Sequence, residues 1–143
     1  MPPAERTILH ASTIALNGNA VVITGASGSG KSALALRLLA YGAELIADDR
    51  TEVWLEQGRV MADAPQAIRG LIEARGVGIL KAQAAGPMPV SLVVDMDQVE
   101  RDRLPPLRET LLLDHRVPVF HNPGNAHFAE AILLYLKGGG RYE

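Results

Sequence analysis

The sequence predicts an α/β fold in which a mixed β-sheet with few helices carries a phosphate-binding loop, the P-loop. Residues 25–32 read GASGSGKS between a strand pattern and a helix pattern, which is the local order of a P-loop. Strand patterns also outnumber helix patterns along the chain. The 143 residues, 48% of them hydrophobic, suit one domain with one core. We therefore expect residues 1–143 to form a single P-loop domain.

The strand patterns are short and mostly apolar. In the first, Ile8, His10 and Ser12 share one face at period two. The second is buried and leads directly into the glycine-rich loop, and Gln57 and Gly58 mark the turn of a hairpin. The expected strands are residues 7–16, 20–24, 44–47, 52–55, 59–62, 90–95, 111–113 and 117–121.

Helix patterns are fewer. Leu34 and Leu38 belong to the apolar stripe of the first helix, and Gly42 ends it. Asn125 is the expected N-cap of the last helix and Gly138 its stop. The expected helices are residues 32–41, 67–74 and 126–137.

The composition argues against several functional classes. The net charge of -2 does not favour nucleic acid as a partner. The absence of cysteine excludes disulfides and thiolate metal ligands and suits a reducing compartment. No apolar run reaches the roughly 18–20 residues that span a bilayer, and the first ten residues do not read as a signal peptide. We therefore expect a cytoplasmic protein with no membrane partner.

The glycine-rich loop predicts a site for a nucleoside triphosphate with magnesium. It matches the pattern G-x-x-x-x-G-K-S without a gap. In such a loop backbone N–H groups point at phosphate, the lysine supplies a positive charge and the serine hydroxyl binds Mg²⁺. The expected binding residues are Gly25, Ala26, Ser27, Gly28, Ser29, Gly30, Lys31 and Ser32.

Phosphoryl transfer also needs carboxylates, and two places in the sequence offer them. Asp48 and Asp49 follow the strand of residues 44–47, and Asp95 ends the strand pattern LVVD. LVVD looks more like the Asp-terminated strand of ordinary P-loop ATPases. Two adjacent carboxylates repel each other, so a magnesium ion or a role in an active site would explain the placement of Asp48 and Asp49. On the residues alone, both places remain candidates.

Three further polar residues have two interpretations each. His10 is either a packed, hydrogen-bonded residue or part of a site. Glu73 is either a solvated surface acid or a ligand, and Arg103 either belongs to a surface charge run or serves a site.

Five segments together resemble HPr kinase/phosphorylase, the bacterial enzyme family that phosphorylates a serine of the phosphocarrier protein HPr. The family has a histidine on the strand before the P-loop, here in ILHAS, and a P-loop of the form G-x-S-G-x-G-K-S, here GASGSGKS. It has a segment V/I-A-D-D-R, here IADDR at 46–50, and a signature E-x-R-G-[LV]-G-I, here EARGVGI at 73–79. A D-R-L segment is matched at 102–104, and the resemblance covers residues 7–125.

The resemblance implies ATP and Mg²⁺ as cofactors, HPr as the protein substrate and a P-loop core related to phosphoenolpyruvate carboxykinase. It implies that Asp49 is the catalytic carboxylate, that Ser32 and Glu73 hold magnesium, and that Asp95 is structural. The cationic or polar groups around the transferred phosphoryl would be His10, Lys31 and Arg103.

The sequence departs from the family in the segment that the family uses for dephosphorylation. That segment reads roughly R-P-G-R-N, whereas this chain has Asn122, Pro123, Gly124 and Asn125. We therefore expect a kinase with weak or absent phosphorylase activity. We also expect the short form, without the N-terminal sensory domain of longer members, and leave open whether the chain forms a homo-oligomer such as the family's hexamer.

Two other functions remain as alternatives on the same scaffold. One is a kinase of a small molecule, because the identity of the acceptor rests on resemblance alone. The other is a non-catalytic ATP-binding regulator, which has no need of a catalytic base.

Overall fold

The computed structural model describes residues 5–138 and 140–142. In that part of the chain a mixed sheet is combined with two α-helices, α1 (Lys31–Ala40) and α2 (Phe128–Gly138). Residues Gln66–Ile68 form a single 3-10 turn. The strands are β1 (Thr7–Leu9), β2 (Ala11–Leu16), β3 (Asn19–Thr24), β4 (Glu44–Ala47), β5 (Thr51–Glu56), β6 (Arg59–Asp63), β7 (Leu71–Ala74), β8 (Gly78–Lys81), β9 (Met88–Val99), β10 (Glu109–Leu112) and β11 (His115–Asn122).

The long strand β9 joins two halves of the main sheet. The strand order is β1-β5-β6-β9-β3-β2-β4, and β11 also pairs with β9 and carries β10 at its edge. β9 is parallel to β3 and β11 and antiparallel to β6. Because β9 is 12 residues long, its first residues pair with β6 and the rest pair with β3 and β11. The hairpin β7–β8 forms a separate two-stranded sheet.

The largest part of the core lies between the helices and the β3-β2-β4 half of the sheet. Leu38 of α1 and Ile132 of α2 are 0% exposed and pack with Ile14 and Ile23. Burying a side chain of this size contributes about 1.5–3 kcal/mol. Helix α1 therefore has a fixed position behind β3, which is the arrangement that a P-loop requires. Gly42, at φ +106°, ends this helix with the left-handed turn that glycine adopts most readily.

A second apolar cluster, which includes Val53 and Ala62, joins the β1-β5-β6 half to strands β2, β3 and β4. Trp54 of β5 is 4% exposed. The guanidinium of Arg6 lies 3.9 Å from the centroid of its ring, a stacked cation–π contact.

The prediction of one strand over residues 7–16 is wrong. The chain bends at His10, so that β1 pairs with β5 while β2 pairs with β3 and β4. The period-two face is interrupted at the same place, because Ser12 is 0% exposed whereas Ile8 is 59% exposed. β1 and β2 pair with different strands, and the alternation of residues within residues 7–16 does not specify these partners.

The prediction of a helix over residues 67–74 is also wrong. After the 3-10 turn the chain forms the hairpin β7–β8, in which Glu73 pairs with Ile79. Ile72 and Ala74 are buried while Glu73 is exposed, which is the alternation of a strand. Gly76 lies in the turn at φ +85°, where the missing Cβ removes the strain.

The remaining predicted elements are confirmed, with shifted ends. Strand β9 continues four residues past Asp95, so the prediction that the strand ends at that aspartate is wrong. The last helix begins at Phe128, and the side chain of Asn125 accepts a hydrogen bond from the His127 N–H at 3.2 Å just before it.

Candidate functional site

The loop between β3 and α1 needs glycine at three positions. Gly25, Gly28 and Gly30 have φ values of +146°, +83° and +103°, a region that residues with a side chain rarely adopt. A Cβ on Gly25 would also lie 2.5 Å from Ser29 Oγ and 3.1 Å from Met96 Cβ. The loop is therefore folded tightly against β9, and Gly30 leads directly into the N-terminus of α1.

Lys31 is folded back onto this loop. The residue is 5% exposed. Its Nζ donates hydrogen bonds to the carbonyls of Gly25 at 2.8 Å and Ala26 at 3.1 Å. The third neighbour of Nζ is His10 Nε2 at 3.5 Å. A buried ammonium is thus held at the mouth of the loop by neutral acceptors, and no carboxylate of residues 5–138 and 140–142 forms a salt bridge with it.

His10 connects Lys31 with Asp49. Its Nδ1 lies 3.2 Å from Asp49 Oδ1, while its Nε2 faces the Lys31 ammonium. Since the ammonium is a donor and the carboxylate is an acceptor, the neutral tautomer with hydrogen on Nδ1 satisfies both contacts. This assignment follows from the hydrogen-bond partners. The bend at His10 is what brings the ring between these two groups.

Asp48 is the centre of the hydrogen-bond network. Its Oδ1 accepts from Ser32 Oγ at 2.8 Å and from Ser12 Oγ at 2.9 Å. Its Oδ2 accepts from the backbone N–H of Glu73 at 3.0 Å. One carboxylate therefore ties the start of α1 to β2 and to the hairpin β7–β8, and it brings Ser32 and Glu73 to the same place.

Five of these residues line a common cavity of about 570 Å³: Lys31, Ser32, Asp48, Asp49 and Glu73. Its oxygen donors are a hydroxyl and carboxylates, the ligand types that Mg²⁺ prefers, beside a loop whose N–H groups suit phosphate. No cluster of three or more His, Asp or Glu with metal-ligand geometry occurs within residues 5–138 and 140–142. The donor set nonetheless fits a magnesium ion that keeps water ligands and shares phosphate oxygens. The lining residues are Ser27, Gly28, Gly30, Lys31, Ser32, Ala33, Leu36, Asp48, Asp49, Glu73, Ala74, Arg75 and Val77.

The other side of the loop is held by β9. Both carboxylate oxygens of Asp97 accept from the Ala26 N–H, at 3.1 and 3.0 Å. Asp95 pairs in register with Thr24, and its Oδ1 accepts from the Asp97 N–H at 3.0 Å. Asp95 thus acts on the P-loop through Asp97, whose carboxylate holds the loop at Ala26. The resemblance likewise implied a structural role for Asp95.

Arg103 lies in a different place from the other predicted residues. It lines a groove of about 510 Å³ between the loop of residues 100–108, strand β11 and the start of α2. Pro123 and Asn125 line the same groove. The neighbouring Asn122 donates to the Met96 carbonyl at 3.5 Å, and Met96 packs under Gly25. Asn122, next to the groove, thus contacts the residue of β9 that packs under the P-loop.

One ion pair fixes the wall of this groove. Arg108 donates to both carboxylate oxygens of Glu100, at 2.9 and 3.0 Å. The guanidinium lowers the pKa of Glu100 below its ordinary value, chiefly through these hydrogen bonds, and Glu100 raises the pKa of Arg108.

The sequence analysis missed three residues of the network. Asp48 was considered only as part of the aspartate pair, and the pair itself was its signal. No sequence pattern marks Ser12 or Asp97 as functional, because serine and aspartate are common surface residues.

The fold is that of a mixed α/β protein in which a glycine-rich loop joins a strand to a helix. No helix among residues 5–138 and 140–142 is long and apolar enough to cross a membrane. Residues 3–103 match the family described as HPr Serine kinase C-terminal domain, and the chain belongs to that family.

The relatives and a solved structure agree with this assignment. The chain is 39% identical over 108 residues to HPr kinase/phosphorylase of Latilactobacillus sakei, covering 70% of this chain and 34% of the relative. It is 44% identical over 78 residues to the Lactobacillus acidophilus enzyme, covering 54% and 24%. The chain thus spans about a third or less of these curated relatives. The HPr(Ser) kinase/phosphatase structure from Coxiella burnetii matches with a TM-score of 0.79 at 23% identity, covering 93% of this chain and 90% of that one, which is a likeness of fold.

Proposed function

We propose that this chain is an ATP-dependent serine protein kinase that phosphorylates HPr. The observation that carries the proposal is the contact of His10 with both Lys31 and Asp49: the lysine ammonium lies 3.5 Å and the aspartate carboxylate 3.2 Å from the imidazole ring. A protein kinase needs both groups beside the same phosphoryl. The family assignment and the names of the relatives support HPr as the acceptor.

In this proposal residues 25–32 bind the phosphates of ATP. The N–H groups of the loop and the N-terminus of α1 provide positive potential, and Lys31 leaves the carbonyls of Gly25 and Ala26 for a phosphate oxygen. Ser32, Asp48 and Glu73 would hold magnesium, which neutralises phosphate charge when it is bound. Asp48 is added to the ligands expected from the sequence because it already contacts Ser32.

Asp49 acts as the general base. The acceptor serine oxygen forms a bond to the γ-phosphorus as the bond from that phosphorus to the bridging oxygen of ADP breaks, and the serine proton passes to the Asp49 carboxylate. His10 keeps that carboxylate oriented through its Nδ1–H. Arg103 supplies a further cation from the acceptor side, where the groove offers room for a protein segment.

The deciding experiment incubates the chain with ATP, Mg²⁺ and purified HPr and measures the mass of HPr. We expect the mass of one phosphoryl group on one serine, and no gain on HPr in which that serine is replaced by alanine. A parallel incubation with labelled ATP and a metabolite mixture tests the alternative: label on a metabolite, with none on HPr, would favour a small-molecule kinase. ATP binding without any transfer would favour the regulator.

A further inference from the structure

A buried hydroxyl lies between the two adjacent aspartates of the site. Ser12 of β2 is 0% exposed, and its Oγ donates to Asp48 Oδ1 at 2.9 Å. The same Oγ accepts the backbone N–H of Asp49 at 3.1 Å. A single hydroxyl therefore holds the side chain of one aspartate and the backbone of the next.

The backbone of Asp49 needs such an anchor. Its φ of +67° is left-handed, an uncommon conformation for a residue other than glycine. Strand β2 holds the backbone of Asp49 at both of its polar groups. The Asp49 carbonyl accepts a hydrogen bond from the Ala11 N–H at 3.1 Å, and the Asp49 N–H donates to Ser12 Oγ. The direction of the Asp49 side chain follows from this backbone, and its Oδ1 lies 3.2 Å from His10 Nδ1.

We propose that Ser12 is a positioning residue for the catalytic carboxylate. The inference rests on the proposed kinase function for its effect on turnover. Ser12 touches no reacting atom; it fixes the left-handed turn at Asp49 and, through Asp48, the neighbouring hydroxyl of Ser32. A small side chain that both donates and accepts is required at this position. Serine and threonine meet that requirement, and alanine does not.

The adjacent residue provides a matched control. Thr13 is also 0% exposed on β2, but its hydroxyl bonds to Thr51 Oγ1 at 2.8 Å and not to an aspartate of the site. Ser12→Ala and Thr13→Val each remove one buried hydroxyl from neighbouring positions. A general loss of stability would affect both variants, whereas a positioning role concerns Ser12 alone.

The kinetic test compares Ser12→Ala, Ser12→Thr and Thr13→Val in the full chain. We expect Ser12→Ala to lower kcat by about 10²-fold, since small displacements of a catalytic group have effects of that order, with the KM for ATP nearly unchanged. Ser12→Thr should recover most of kcat, and Thr13→Val should retain it. Equal kcat values for Ser12→Ala and Thr13→Val, or no recovery in a folded Ser12→Thr, would overturn the inference.

A second measurement needs no activity. Hydrogen exchange of the Asp49 amide should accelerate in Ser12→Ala and remain slow in Thr13→Val, because only the first variant loses its acceptor. An unchanged rate in Ser12→Ala would overturn the inference. If the wild-type chain did not phosphorylate HPr, the proposed function would fail, and the Asp49 amide would still decide the role of Ser12.

Discussion

The P-loop cavity and the Arg103 groove have similar volumes, about 570 and 510 Å³, but their polar side chains are held differently. In the cavity Lys31 is 5% exposed, and the carboxylate of Asp48 accepts three hydrogen bonds. In the groove Arg101 and Arg103 are exposed. Charges that are held in place before the reaction need less reorganisation to stabilise a transition state. We therefore assign the chemistry to the cavity in our proposal, and we assign the protein substrate to the groove.

The largest effect should come from Asp49, the carboxylate of the P-loop cavity that we propose as the general base. We expect Asp49→Asn to lower the rate of phosphoryl transfer by about 10²–10⁴-fold, because an amide keeps the shape but cannot take the proton. Nucleotide affinity, measured by calorimetry, should remain. Asp95→Asn is the control, since its amide oxygen can still accept the Asp97 N–H. An inactive Asp95 variant beside an active Asp49 variant would mean that the wrong carboxylate had been chosen.

Loss of the fixed cation should follow in size. Lys31→Ala removes the ammonium that the loop holds at 2.8 Å from the Gly25 carbonyl, and we expect the transfer rate to fall by about 10²–10³-fold. Steady-state transfer to HPr is the measurement. Arg59→Ala, at the exposed start of β6 and outside both the cavity and the groove, is a cationic control and should lose far less. Near-normal turnover of the lysine variant would contradict the P-loop assignment.

A smaller change should appear in the metal dependence. Glu73→Gln removes one proposed magnesium ligand but keeps the backbone N–H that binds Asp48. We expect the Mg²⁺ concentration for half-maximal activity to rise on the order of 10-fold, with kcat at saturating Mg²⁺ close to normal. Glu44→Gln, at the far end of β4, controls for a change of charge. A magnesium titration that matched the wild type would return Glu73 to a surface role.

The groove gives the next prediction. Phosphorolysis brings inorganic phosphate to phosphoserine. Arginine suits this reaction because its planar guanidinium stays charged and binds phosphate through two hydrogen bonds. This chain has Asn122 and Asn125 in the corresponding segment, and asparagine brings no charge. We expect loss of phosphate from phospho-HPr, in millimolar phosphate without ADP, to be slow beside the forward reaction. Comparable rates in the two directions would show that these arginines are unnecessary.

The smallest effect concerns the stability of the groove wall. The pKa of Glu100 is lowered by Arg108, so this pair contributes stability above the ordinary carboxyl pKa and loses it as the pH falls through the lowered value. We expect Arg108→Gln to lower the thermal midpoint slightly at neutral pH, and the difference from wild type to shrink in acid. Scans at several pH values would test this, and a difference that was constant with pH would exclude the ion pair as its cause.

The contrast between the two regions also explains what the sequence revealed. The P-loop, its strand and α1 were predictable because motif, glycine positions and apolar spacing are local properties. The fold class followed from the same local patterns. Glu73 was assigned to a helix because it lies in a short apolar segment, and such segments fit strand and helix patterns equally well.

Long-range contacts account for the rest. Ser12 and Asp48 are 36 residues apart, and Ala26 and Asp97 are 71 apart, so no spacing rule connects them. The bend at His10 likewise depends on which strand accepts each half of residues 7–16. For the groove, the sequence showed the run of charged residues around Arg103 but not how far these residues lie from the P-loop cavity.

The stacking of Arg6 on Trp54 gives the protein an internal optical reporter. Trp54 is the single tryptophan of the chain, and the β1-β5-β6 half that contains it supplies none of the residues lining the P-loop cavity. Its fluorescence should shift when the buried ring meets water on unfolding and stay nearly constant as nucleotide fills the cavity. Emission spectra can therefore separate loss of fold from loss of binding in each variant, without an added dye or label.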